Sequence, residues 1–229
     1  MVAKRYKSTR MVGFLVFILA TTLTGVSFAV DRASVLVDAQ HNKSTNEFIV
    51  TWAVDEGYFI DNGLDLKVYE GSEVVIEFVL NHPQNWGRAG DLSFQKIDNL
   101  SDARIAIRLA SPQDIIKLCN NIKDAVACAY MFYWSDVGYV CNIYVPPPVI
   151  AYVSTPFGRY PAISNFRYFF SILNHEVGHC LGLGHGGDKG DLMYHQLPSR
   201  IKSITFPNDT EIELLRNIQN SIRENLKGI

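Results

Sequence analysis

Residues 175 to 185 read His-Glu-Val-Gly-His-Cys-Leu-Gly-Leu-Gly-His. His175 and His179 are four apart, so on a helix they lie one above the other on a single face. Two neutral imidazoles stacked in this way can grip one zinc ion at about 2.0–2.1 Å each. Glu176, the next residue along, is placed to take a proton from a water held by that ion. His185 cannot join them if the helix continues, because six further residues turn through about 600° at roughly 100° each. The chain must therefore leave the helix after His179 and fold back. Gly182 and Gly184 permit this, since glycine accepts the left-handed backbone that ends helices.

The string is H-E-x-x-H-x-x-G-x-x-H, and through it the chain resembles the metzincins, a clan of zinc endopeptidases. A bare H-E-x-x-H recurs in unrelated helices; the glycine and third histidine at fixed offsets make coincidence rare. The resemblance implies one catalytic Zn2+ held by His175, His179 and His185, with Glu176 as general base. It extends to Gly190-Asp191-Leu192-Met193-Tyr194, where Met193 is expected in a Met-turn, an apolar floor beneath the imidazoles. Tyr194 directly after the methionine resembles the matrixins. The astacin and serralysin branches place a tyrosine one residue later, where this chain has His195. Tyr194 and His195 are expected to line the specificity pocket with the residues up to Ser203; a fifth-ligand or oxyanion role for His195 is the alternative. No cysteine precedes Cys119, so the cysteine-containing pro-segment of matrixins has no counterpart, and His41, His82 and His195 are too scattered for their second zinc site. The resemblance is therefore to the clan and to no single family within it.

The implied fold is α+β: a twisted, mostly parallel sheet with an antiparallel edge strand, packed helices including the zinc helix, and a small C-terminal subdomain with the Met-turn and a final helix. Ala127, Cys128, Ala129, Tyr130 and Met131 would lie on that edge strand and pair with an extended peptide by strand addition.

The elements that must position these residues follow from periodicity. Phe48–Val54, Asp65–Tyr69, Leu92–Ile97 and Arg104–Leu109 read as strands. Ser72 is expected to cap a helix from Glu73 to about Leu80, with Val74, Val75, Phe78 and Val79 buried. Trp86 follows in a turn. Val126–Tyr133 and Tyr139–Val145 form two further strands, the second ended by Pro146-Pro147-Pro148. The zinc helix should start near Ser164 or Asn165, burying Phe170, Leu173, Val177 and Cys180 and turning Ile172, His175, Glu176 and His179 to the cleft. Asp209 or Thr210 can cap a final helix with Ile212, Leu215, Ile218 and Ile222 as its apolar stripe.

Lys4, Arg5, Lys7 and Arg10 precede an apolar run from Met11 to Leu23, and Ser27-Phe28-Ala29 has the small-x-small pattern of a cleavage site. Residues 1–29 are expected to be a signal peptide, 30–63 an N-terminal extension and 64–229 the catalytic domain. The protein would be secreted or extracytoplasmic, or membrane-anchored at its N-terminus if the leader is retained. The four cysteines, even in number in an exported chain, predict two disulfides among three connectivities; the expected pairs are Cys119 with Cys128 and Cys141 with Cys180. The formal net charge is −2, and with no basic run nothing favours nucleic acid as a partner. Nothing points firmly to an oligomer. The expected activity is hydrolysis of a protein or peptide substrate bound in extended conformation. The alternatives are a zinc-binding surface domain without catalysis and a zinc hydrolase of non-peptide amides or esters.

Overall fold

Two strongly apolar stretches form the centre of the sheet. Strand β2 (Glu47–Val54) buries Phe48, Val50, Trp52 and Val54, and β4 (Ile105–Leu109) buries all but Arg108. Strands covered on both faces need no polar alternation. The computed structural model describes residues 34–55, 66–156, 158–195 and 203–227.

Trp52 pairs with Lys96 of β3 (Leu92–Lys96) and with Ile105 of β4, so β3 and β4 flank β2 on opposite sides, both parallel to it. Phe48 pairs with β3 and also with His41 of β1 (Gln40–Asn42), so the short, antiparallel β1 shares β4's side of β2. Beyond β4 comes β6 (Gly138–Val145), parallel to it, and then β5 (Cys128–Trp134), antiparallel at the edge. β7 (Ile150–Thr155) and β8 (Gly158–Ile163) form a separate hairpin. The described residues contain four α-helices: α1 (Leu66–Leu80), α2 (Pro112–Leu118), α3 (Phe166–Cys180) and α4 (Asp209–Lys227). The protein thus has an α+β fold with a mixed sheet, the second antiparallel pairing, at β1, being unforeseen.

Residues 34–54 pack into the sheet and core. Val35 and Leu36 are fully buried, β2 lies inside the sheet, and the Ser34 hydroxyl donates to the Leu181 carbonyl at the end of α3. The boundary expected at residues 63 and 64, and the leader before residue 30, lie outside the described residues. Among the described residues no helix is long and apolar enough to cross a membrane.

The expected strand Asp65–Tyr69 is corrected: α1 begins at Leu66. Ser72 is consequently no cap but a fully buried residue inside the helix. The buried face is Val75, Ile76, Val79 and Leu80, while Val74 and Phe78 are exposed by 69% and 52%. A helix with apolar residues at 74, 75, 76, 78, 79 and 80 carries three adjacent i, i+4 pairs, so periodicity alone does not select which of them are buried. Packing against α3 makes the choice.

Helix α3 is buried nearly all round. Ile172, expected toward the cleft, is fully buried in the core with Phe169, Phe170, Leu173 and Val177. Asn165 occupies its N-cap without a capping bond; its side chain instead accepts from Val149 N–H at 2.6 Å and holds the base of the β7–β8 hairpin. In α4 the stripe Ile212, Leu215, Ile218 and Ile222 is buried as expected. Its cap is Asn208, not Asp209 or Thr210. The Asn208 side chain accepts from Glu211 N–H at 2.9 Å while the Glu211 carboxylate accepts from Asn208 N–H at 2.8 Å, a reciprocal capping box. Helix α2 was not anticipated; Ser111 caps it ahead of Pro112 and Asp114.

Both expected disulfides are present. Cys119–Cys128 closes a local loop, and Cys141–Cys180 ties β6 to the last turn of α3.

Candidate metal centre

The end of α3 brings the third histidine back to the first two. Gly182 adopts φ +97°, its N–H bonds to the His179 carbonyl, and Leu183 N–H reaches the Gly178 carbonyl, both at 3.0 Å. This is the Schellman arrangement, which only a residue tolerant of positive φ completes without strain. Gly184 is not among the residues with positive φ; one glycine suffices for the reversal.

His175, His179 and His185 then converge. The Nε2 atom of His179 is 3.2 Å from Nε2 of His175 and 3.2 Å from Nε2 of His185. Carbonyls fix the outer ring nitrogens: Nδ1–H of His175 donates to Leu192 O at 2.7 Å, and Nδ1–H of His179 to Leu183 O at 2.8 Å. A neutral imidazole carries one N–H. With both Nδ1 atoms protonated, the Nε2 atoms of His175 and His179 face each other as two lone pairs, and no hydrogen bond joins them. Imidazole nitrogens placed tetrahedrally at about 2.0–2.1 Å from one ion stand ~3.3–3.4 Å apart. Two of the three separations match that edge, and all three donor atoms lie within 4.8 Å of one another, a set able to hold a single divalent ion.

Burial keeps the cluster uncharged. It lowers His175 to about 4 and His179 to about 3, in each case chiefly through desolvation, with neighbouring imidazoles adding to the effect. His185, though exposed at its rim, is lowered by burial and by His195. Neutral imidazoles are the form that binds metal. Glu176, 6% exposed, is pushed up to about 8 by desolvation alone. A dication at the histidines would draw that carboxyl back toward its ionised form.

Met193 lies beneath the histidine helix, 1% exposed, with its thioether against Gly178. A Cβ at position 178 would collide with Met193 Sδ and stand 2.8 Å from the Trp86 ring. Trp86, itself buried, donates through Nε1 to the Asn174 carbonyl at 2.9 Å, one residue before His175. Tyr194 is half-buried and bridges back to Gly186; His195 is exposed, its ring centroid 6.3 Å from that of His185. The remaining expected wall, residues 196–202, lies outside the described residues.

Of the expected edge-strand residues, Cys128, Ala129, Tyr130 and Met131 lie in β5 and Ala127 just before it. Ala129 and Met131 turn to the core, and Cys128 is held in its disulfide. Tyr130 is half-buried, its hydroxyl raised by burial, by Tyr144 and by Glu176, which sets it within electrostatic range of that carboxyl.

Glu211 was missed. It is 1% exposed, accepts from Met193 N–H at 2.6 Å, and is raised chiefly by burial, with its backbone hydrogen bonds pulling the other way. The legible signal was Asn208-x-x-Glu211, a capping box just before an apolar periodic run.

Fold and site together define an α+β protein with a three-histidine donor cluster beside a buried carboxyl. The chain belongs to the DUF3152 family, described as a protein of unknown function, which matches residues 34–197. That span includes the three histidines, Glu176 and Met193, and stops short of Glu211. No curated protein matches the chain.

Proposed function

We propose that the protein is a zinc-dependent endopeptidase of metzincin type, with His175, His179 and His185 as ligands and Glu176 as general base. The observation that carries this is the 3.2 Å approach of Nε2 atoms whose Nδ1 protons are committed to carbonyls, an arrangement that a cation between them would relieve. A glycine-ended histidine helix, a methionine packed beneath it and an antiparallel edge strand in a mixed sheet support the metzincin-type domain. Two disulfides support an oxidising, extracytoplasmic location.

Bound zinc would supply a Lewis acid for the scissile carbonyl and acidify the attacking water. Glu176 accepts that water's proton and returns it to the leaving amine. The carbonyls of Leu192 and Leu183 hold His175 and His179 in the tautomer that presents Nε2. Strand β5, which among the described residues has only β6 as its sheet partner, offers its other edge to an extended peptide.

The test is zinc content and casein cleavage of purified wild type beside Glu176→Gln. One zinc per chain in both proteins, with cleavage by wild type alone and loss on chelation, is the expected result. No zinc in wild type would end the proposal. Zinc without cleavage of casein or small amides and esters would favour a binding role.

A further inference from the structure

The peptide group joining Leu192 to Met193 is engaged at both ends. Its carbonyl accepts from His175 Nδ1–H at 2.7 Å, and its N–H donates to Glu211 Oε1 at 2.6 Å. Among the described residues no peptide is cis, so the C=O and N–H of this unit point in opposite directions. Glu211 and His175 therefore sit at the two poles of one conjugated amide. Leu192, Met193 and Glu211 are exposed by 0%, 1% and 1%, so water competes at neither bond. The second oxygen, Oε2, is taken by Asn208 N–H, which leaves the carboxylate a single orientation.

Given the zinc site argued above, we propose that Glu211 is a positioning residue for the metal centre, acting on His175 through the Leu192–Met193 peptide. A carboxylate accepting at the amide N–H shifts electron density toward the amide oxygen, because hydrogen bonds in series polarise one another. The Leu192 carbonyl becomes the stronger acceptor, and His175 Nε2 the better donor to a metal. Carboxylates that bond directly to a ligand imidazole do the same, and removing them costs about 10–100-fold in metal affinity. Here one peptide unit stands between carboxylate and imidazole. Glu211 also prevents the buried Met193 N–H from going unpaired, so the turn beneath the histidines keeps its shape. None of this needs Glu211 to approach the reacting atoms.

Glu211→Gln tests it. The amide oxygen can still accept one N–H, but the amide nitrogen meets a second donor, and the charge is gone. Zinc affinity, read by competition with a chromophoric chelator, is expected to fall about 10-fold or more, with a shifted visible spectrum in the cobalt(II)-substituted protein. Gln219→Ala is the control: Gln219 is buried on the same helix, and its side chain bonds to the Gly90 carbonyl at 3.1 Å. It is expected to lower the melting temperature while leaving affinity and spectrum unchanged. If Glu211→Gln binds zinc like wild type, or if both variants weaken it alike, the positioning role is wrong although the zinc site stands. Wild type that binds no zinc removes both together. Should Glu211→Gln fail to fold, zinc-loaded wild type carries the test by nitrogen-edited NMR. The His175 Nδ1 proton is expected downfield of that of His179, whose acceptor is the Leu183 carbonyl in the helix-ending turn. A His175 proton at or upfield of the His179 position overturns the proposal.

Discussion

Gly178 and Met193 pack so closely that a methyl group on residue 178 would occupy the space of the methionine sulfur. In most helix interiors Gly→Ala stabilises by roughly 0.5–1 kcal/mol. Here the sign should reverse. Met193 can shift its flexible end, but the indole of Trp86 lies 2.8 Å from the new carbon and is itself held by the Asn174 carbonyl. Overpacking of this kind costs typically about 1–3 kcal/mol. Urea denaturation should show Gly178→Ala destabilised, and a second change, Met193→Ala, should recover part of that loss. Stabilisation by Gly178→Ala would show that the turn yields freely.

The two disulfides should differ in worth. Their sequence separations are 9 for Cys119–Cys128 and 39 for Cys141–Cys180. Chain entropy assigns about 2.6 kcal/mol to the shorter loop and about 3.9 kcal/mol to the longer. Paired serine substitutions at 141 and 180 should therefore lower stability more than the same change at 119 and 128. They should also loosen zinc, since Cys180 follows His179 directly. Equal losses by calorimetry, with zinc affinity intact, would contradict both expectations.

The metal-free protein should lose stability as pH rises above neutrality. Glu176 is held at about 8 when folded against 4.5 for a free carboxyl, so between these values folding retains a proton that the unfolded chain releases. Its contribution is full below pH 4.5 and is lost as pH approaches 8. His175 and His179 act in the opposite sense: near 4 and 3 when folded, they cost stability as pH falls below 6.5. Only from about pH 7.5, a unit above the unfolded value, are both neutral in either state, and there of the three Glu176 alone sets the slope. Chelator-treated wild type should weaken between about pH 7.5 and 8.5 by roughly 0.7 kcal/mol per unit, half of the one-proton slope of about 1.4. Glu176→Gln should be nearly flat; parallel curves would refute the assignment.

His195 should be dispensable for metal binding. Among the described residues the converging donors are His175, His179 and His185, and His195 stands outside that group at the exposed rim. His195→Ala should keep one zinc per chain with affinity changed less than about threefold, well short of the loss expected for a ligand's supporting partner. A larger loss would make it a fourth ligand. Unchanged turnover in the same variant would remove any oxyanion role as well.

Much of the site was legible because its parts are local. The four-residue spacing of His175 and His179, the reversal at Gly182 and the Met193 turn all lie within twenty residues, where helical period and glycine's backbone freedom govern. The strands β2, β4 and β6 announced themselves through β-branched and aromatic content. Asp65–Tyr69 misled because Asp-Leu-Lys-Val-Tyr alternates over only five residues, little more than one helical turn, too short to separate a period of 2 from one of 3.6.

What lay beyond local patterning was the choice among equivalent faces and partners. Val74 and Phe78 are as apolar as Val75 and Val79, yet the first pair meets solvent and the second meets the core. Trp86 reaches Asn174 across 88 residues, Ser34 reaches Leu181 across 147, and Glu211 reaches Met193 only because α4 docks beside the turn. Such pairings depend on how whole elements pack, so the histidine ligands could be named from one short string while the groups that hold them in place could not.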